Sequence, residues 1–219
     1  MEIAVTVHKF ASEFKAVAIT AKPRLGLSVA SPVQQVTCFA TGEEIYGQGD
    51  KATALYEVEY GAVRVYRLLA DGRRQIAAFH MAGEVFGFEA DGTHHFFAEA
   101  IGATGVRVMR LGASAEISHK LLPLALQSLV RTQEHLLVLG RQHAIERVAA
   151  FLLDMAERQG GLAEFELPMS RMDIADYLGL TIETVSRAFT RLKEKGIVKL
   201  PGLRNVQIIR WQTLNDMSA

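Results

Sequence analysis

Apolar and polar positions change their rhythm three times along the chain. Residues 1 to about 30 have no strong period and include Pro23 and Gly26, with Pro32 just beyond, which predicts a loosely packed extension. From about Val33 to Arg110 the pattern is that of short strands joined by turns. Glycines recur at 49, 61, 72 and 83, and Asp71-Gly72 separates the apolar runs Ala62–Leu68 and Gln75–Phe79, a strong hairpin signal. This spacing predicts a small antiparallel barrel or jelly roll. From Pro123 to about Gln142 the rhythm lengthens into one long helix, in which Leu122, Ala125, Leu129, Thr132, Leu136, Leu139 and His143 follow an a/d spacing. Such a stripe either pairs with a second copy as a short coiled coil or packs against its own barrel.

Past a hinge at Gly140–Ala144 the period becomes that of compact helices. Ala144–Arg158 is amphipathic through Ile145, Val148, Ala149, Leu152 and Met155. The stretch Ser170–Arg191 then carries the punctuation of two short helices and a tight turn. Ser170 suits an N-cap, Asp173 stands where a capping box places its carboxylate, and Ile174, Ala175 and Leu178 give an apolar face. Gly179 allows the turn, and Thr181 caps a second helix buried through Ile182, Val185, Phe189 and Leu192. Glu183, Ser186 and Arg187 are left outside. Arg is the usual bidentate partner of a guanine edge, Glu accepts from a cytosine amine, and Ser bonds either kind of group, so the trio suits major-groove readout. An ordinary helical hairpin with a solvated Glu and Arg would carry the same punctuation.

Charge separates the two readings. The chain balances 24 Lys and Arg against 24 Asp and Glu, yet residues 187 to 210 hold seven basic residues (Arg187, Arg191, Lys193, Lys195, Lys199, Arg204, Arg210) and one acid, Glu194. A local excess of this kind is a footprint for phosphates rather than a property of the whole surface. Gly196 ends the second helix, and Ile197–Leu200 and Val206–Ile209 read as two strands around Pro201-Gly202. Helix pair, hairpin and basic run together make a winged helix-turn-helix that binds double-stranded DNA. Ser170, Arg171, Thr181, Thr184, Arg191, Lys193, Lys195 and Arg204 are the expected backbone contacts, helped by the positive end of the second helix. A reader of palindromic DNA needs two recognition helices about one turn apart, roughly 34 Å, which favours a homodimer built on Leu122, Ala125, Leu129, Thr132, Leu136 and Leu139.

The run Met169-Ser170-Arg171-x-Asp173-Ile174-Ala175-x-Tyr177-Leu178-Gly179-Leu180-Thr181-x-Glu183-Thr184-Val185-Ser186-Arg187 resembles the DNA-binding signature of the CRP/FNR family of bacterial regulators, and within it looks most like the FNR and FixK branch. Gly42-Glu43-Glu44-Ile45-Tyr46-x-Gln48-Gly49-Asp50 and Gly83-Glu84-Val85-Phe86-Gly87 extend the resemblance into a cyclic-nucleotide-binding-like roll. The resemblance implies a homodimeric activator that reads a TTGAT…ATCAA palindrome and recruits RNA polymerase, with Arg187 on the G, Glu183 on the C amine and Ser186 near a T. It further implies control of genes for low-oxygen respiration or nitrogen fixation. The expected fold is α+β: an extension over 1–30, a β-roll over 31–118, a dimerisation helix and hinge over 119–143, and a winged helix-turn-helix over 144–219.

The remaining chemistry narrows this picture. Cyclic-nucleotide binders of the family hold the phosphate with an Arg-Ser pair, and alignment from Gly83-Glu84 puts His94 and His95 there, two imidazoles largely neutral at pH 7, so no cyclic nucleotide is expected. One cysteine, Cys38, excludes an intrachain disulfide and the four-cysteine cluster of the FNR type. His80, His94 and His95 can each offer an axial haem ligand, but without haem-specific spacing the plainer reading has His94-His95 capping an exposed turn and His80 packing at a strand end. Cys38 can be a redox switch, although its apolar neighbours fit an inert core thiol better. No GxSxG, P-loop or HExxH motif suggests an enzyme, and neither cofactor nor metal is expected. No apolar run approaches the roughly 20 residues of a membrane span, and charged residues interrupt the N-terminus, so a cytoplasmic protein is expected.

Overall fold

The computed structural model describes residues 35–110 and 115–218; the expected extension over 1–30 lies outside them. Alternating residues build the roll. Strands β1 (Val36–Phe39), β2 (Glu44–Tyr46), β3 (Ala54–Tyr60), β4 (Ala62–Leu68), β5 (Arg74–Met81), β6 (Val85–Phe86), β7 (Phe97–Ala100) and β8 (Thr104–Arg110) form two four-stranded antiparallel sheets, ordered β1-β8-β3-β6 and β2-β7-β4-β5. Both sheets feed one core: Val58, Phe86 and Val106 from the first meet Tyr46, Val63 and Ala98 from the second. The Asp71-Gly72 hairpin is present, with β4 and β5 paired from Ala62↔Met81 to Leu68↔Arg74 and Gly72 at φ 81 in the turn.

Helix α1 spans Ala115–Leu139. It begins well before Pro123, where the sequence pattern predicts its start. Proline is favoured there because its missing N–H is an orphan anyway; here it sits inside the helix and gives up one backbone bond. Leu122, Leu129 and Leu136 remain 58%, 53% and 62% exposed, so the a/d stripe is not spent on the chain's own roll. The opposite side of the helix packs inward through the buried His135 and the half-buried Val138.

After the break at 140–143 come α2 (Ala144–Arg158), β9 (Glu164–Glu166), α3 (Arg171–Leu178), α4 (Ile182–Glu194), β10 (Val198–Lys199), β11 (Asn205–Ile208) and α5 (Trp211–Met217). Helices α2, α3 and α4 and the β10–β11 hairpin stand where the sequence pattern predicts them. Two elements have no counterpart in the sequence pattern: β9, which pairs with β11 to widen the wing into a three-stranded sheet, and α5, which buries Leu214. Val148, Leu152, Met155, Ile174, Leu178, Val185, Leu192 and Val206 form the centre of this half, and their cluster runs without a break into Ala62, Ile76, Phe79 and Ile101 of the roll. Among the described residues no helix is long and apolar enough to cross a membrane.

Candidate nucleic-acid interface

The turn between α3 and α4 follows from a few residues. Ser170 Oγ accepts from the Asp173 N–H at 3.1 Å while Asp173 Oδ2 accepts from the Ser170 N–H at 3.0 Å and from its hydroxyl at 2.7 Å, which closes the expected capping box. Gly179 ends α3 in the left-handed region at φ 63, a conformation a Cβ would penalise. Thr181 Oγ1 then accepts from the Thr184 N–H at 3.2 Å and starts α4.

Helix α4 buries Val185, Ala188, Phe189 and Leu192, which fixes its rotation. The outward face of its first turns is Glu183, Ser186 and Arg187, all exposed and without a side-chain hydrogen bond or ion pair among the described residues. Thr190, one turn on and also exposed, shares that face by helical spacing from Ser186, beyond the expected trio, and donates its hydroxyl to the Ser186 carbonyl at 3.0 Å. Arg191, Lys193, Lys195 and Arg204 are exposed on the same half of the molecule.

Four of the residues expected at the backbone have other contacts; Thr181 and Thr184 bring their hydroxyls to 3.0 Å from each other at the start of α4. Ser170 has its hydroxyl committed to the cap of α3. Arg171 is half-buried, its guanidinium carbon 3.3 Å from the centre of the Phe189 ring, and burial pushes its pKa down to about 10, which leaves it charged at neutral pH. Among the described residues no hydrogen bond or ion pair engages that guanidinium, so a rigid, stacked cation with free donors stands at the start of α3.

Residues 36–115 match a cyclic nucleotide-binding domain, and residues 146–217 match a Crp-like helix-turn-helix domain. The nitrogen fixation regulation protein FixK of Rhizobium meliloti is 52% identical over 193 residues, which cover 88% of this chain and 92% of that protein. The chain belongs to the CRP/FNR family. Its members are transcription regulators and not enzymes, and DNA-binding regulation is accordingly the class of its function. The fumarate and nitrate reduction regulatory protein of Vibrio cholerae, 35% identical over 191 residues, covers 81% of this chain and shares 76% of its own length. The structure of FixK2 from Bradyrhizobium japonicum superposes with a TM-score of 0.80 at 43% identity, covering 86% of this chain and 98% of that one.

In this CRP/FNR regulator the segment aligned with the family's phosphate-holding pair is not an exposed turn throughout, as the sequence suggested. His94 is 1% exposed and lies flat on Tyr46, ring centres 3.6 Å apart at 8°, with Tyr56 and Phe86 completing an aromatic cluster. The turn brought Glu89 within 3.3 Å of His94 Nδ1, whereas His95 does stay exposed, 3.0 Å from Asp91. His80 packs near the end of β5 as expected, stacked on Phe86. Cys38 departs from the expected core thiol: it is exposed on β1 and accepts the Tyr60 hydroxyl at 3.2 Å, because the short edge strand turns it outward. Among the described residues no group of three or more His, Cys, Asp or Glu is placed to hold a metal ion.

Proposed function

We propose that this regulator is a homodimer that binds a TTGAT-N4-ATCAA-like palindrome and activates transcription at promoters carrying it, by recruiting RNA polymerase. Helix α4 of each copy enters one half-site, where Arg187 takes the guanine edge, Glu183 the cytosine amine, and Ser186 lies by a thymine. Arg171, Thr181, Thr184, Arg191, Lys193, Lys195 and Arg204 meet phosphates, and Ser170 acts by shaping the start of α3. The observation that carries this reading is the free, outward face of Glu183, Ser186 and Arg187 on a helix whose rotation is fixed by its buried side.

The dimer rests on α1. Leu122, Leu129 and Leu136 are exposed large apolar residues along the stripe that also holds Ala125, Thr132 and Leu139, and a second copy of the same stripe is the natural cover. We divide the chain into the extension (1–30), roll (31–118), dimerisation helix and hinge (119–143) and winged helix-turn-helix (144–219). The names of the FixK relatives support a role at nitrogen-fixation genes, and control of low-oxygen respiration genes is the other half of the proposal. His94 stacked on Tyr46, in place of an arginine-serine pair, supports DNA binding without a cyclic nucleotide.

A gel shift on the TTGAT-N4-ATCAA duplex, with and without cyclic AMP, tests the proposal. An equal shift in both arms supports it, a shift only with the nucleotide points to a ligand-responsive regulator, and no shift in either arm with folded protein sinks it.

A further inference from the structure

One side of α3 is held by the roll. Asp173 keeps Oδ2 for the capping box and turns Oδ1 to the roll, where it accepts from Arg64 Nη1 at 3.1 Å and Arg74 Nη2 at 2.6 Å. Asp176 Oδ2 accepts from Arg74 Nε at 2.9 Å and Nη2 at 2.7 Å, and its backbone carbonyl accepts from Gln75 Nε2 at 2.7 Å. Arg64 also pairs with Glu99 on β7, so it is anchored within the roll before it reaches across.

Three features make these pairs more than surface decoration. The Asp173 side chain is 4% exposed and that of Arg64 16%, so the charges are screened little by water. Asp176 takes no part in the cap of α3, and the side-chain partner the structure gives it is on the roll. Beside Arg74 and Asp176, between the β4–β5 turn and the turn after α3, runs a cleft of about 170 Å³, so at this end polar bonds rather than apolar packing join the two halves. The contact also leaves Glu183, Ser186 and Arg187 uncovered, which separates it from a device that hides the reading face.

We infer that Arg64 and Arg74 are positioning residues for DNA recognition: they fasten α3, and with it α4, to the roll, so that a dimer presents its two recognition helices at one separation without an added ligand. This rests on the dimer-on-palindrome reading above. The break at 140–143 would otherwise leave the orientation of α4 to the apolar contacts around Phe79 and Tyr177 and to Arg158 of α2, which donates to Glu84 Oε2 at 2.7 Å and to the Phe79 carbonyl at 2.6 Å; of these the Arg158 bonds hold α2 and not α3.

Full-length wild type, Arg74→Ala, Asp176→Ala, the double variant and Arg74→Lys are titrated by fluorescence anisotropy on palindromes whose half-sites stand three, four or five base pairs apart, and on a single half-site. Wild type is expected to prefer one spacing by about tenfold or more. Both single alanine variants should lose spacing preference while binding the single half-site as wild type does, Arg74→Ala losing the more because it also gives up its bond to Asp173, and the double should be no worse than Arg74→Ala, because Asp176 has its side-chain ion pair with Arg74. Lysine, which keeps the charge but not the fork, should restore it only in part. Unchanged spacing preference in folded, dimeric variants would overturn the inference, as would tighter binding of the palindrome, the mark of an autoinhibitory clasp. A wild type indifferent to spacing would instead overturn the palindrome reading, and the inference with it.

Discussion

Arg74 donates to Oδ1 of Asp173 at 2.6 Å while the other oxygen of the same carboxylate caps helix α3, so one side chain both starts the helix-turn-helix and ties it to the roll. Burial alone would raise the Asp173 pKa, but the Ser170 hydrogen bonds and the Arg64 and Arg74 guanidiniums hold it below the ordinary carboxylate value. The two duties separate experimentally. Ser170→Ala removes only the side-chain cap and should cost about 1 kcal/mol. Asp173→Ala also takes a charged hydrogen-bond partner from two half-buried guanidiniums, which keep Glu99 and Asp176, and should cost more, about 2–3 kcal/mol. Urea unfolding followed by circular dichroism measures both, and equal losses would show that the link to the roll contributes nothing.

The exposed stripe of α1 makes a prediction about assembly. Leu129→Glu combined with Leu136→Glu changes two residues that are 53% and 62% exposed in the single chain, so the fold should survive. Wild type should be a dimer by light scattering at micromolar concentration and the variant a monomer with unchanged circular dichroism. A wild-type monomer would remove the coiled-coil pairing.

His80 sets a pH dependence. Burial pushes its pKa down to about 4 from an ordinary 6.5, against the opposing pull of the nearby Glu84 carboxylate. The unfolded chain therefore binds a proton between pH 6.5 and 4 that the native state refuses, and stability falls across that window as pH drops, by about 3 kcal/mol in all from this group. His80→Phe keeps a ring against Phe86 and should flatten the curve between those pH values. Identical slopes for the two proteins in urea titrations would show that His80 is not the group responsible.

Lys193 is exposed in the last turn of α4, beyond the outward-facing trio. Lys193→Ala should weaken binding to specific and scrambled duplexes alike and lower the slope of log K against log salt by about 1. A loss confined to the palindrome would reassign it to base reading.

What could be seen in the sequence was what local rules decide. Ser170, Asp173, Gly179 and Thr181 are punctuation whose geometry needs no distant partner, and the α4 face repeats every helical turn, so both appeared in the structure as expected. Asp71-Gly72 marked its hairpin for the same reason. What stayed hidden depends on residues far apart in the chain. Arg64 meets Asp173 across 109 positions, and nothing in either residue's neighbourhood marks the pairing. Likewise the polar neighbours of His94 predict a turn residue, whereas Tyr46 lies flat against it, and the apolar neighbours of Cys38 predict a core thiol, whereas strand order puts it on an edge. Strand β9 is only three residues long and needs β11 to exist.

The most direct test of half-site reading by α4 is a titration of wild type and Arg187→Ala against the TTGAT-N4-ATCAA palindrome, a version with the G·C pairs replaced by A·T, and a scrambled duplex at fixed salt. Wild type should favour the intact palindrome over the replaced one. Arg187→Ala should lose about 1–3 kcal/mol on the intact site and no longer tell those two sites apart. Equal losses on the palindrome and the scrambled duplex would contradict the assignment and make Arg187 a phosphate contact.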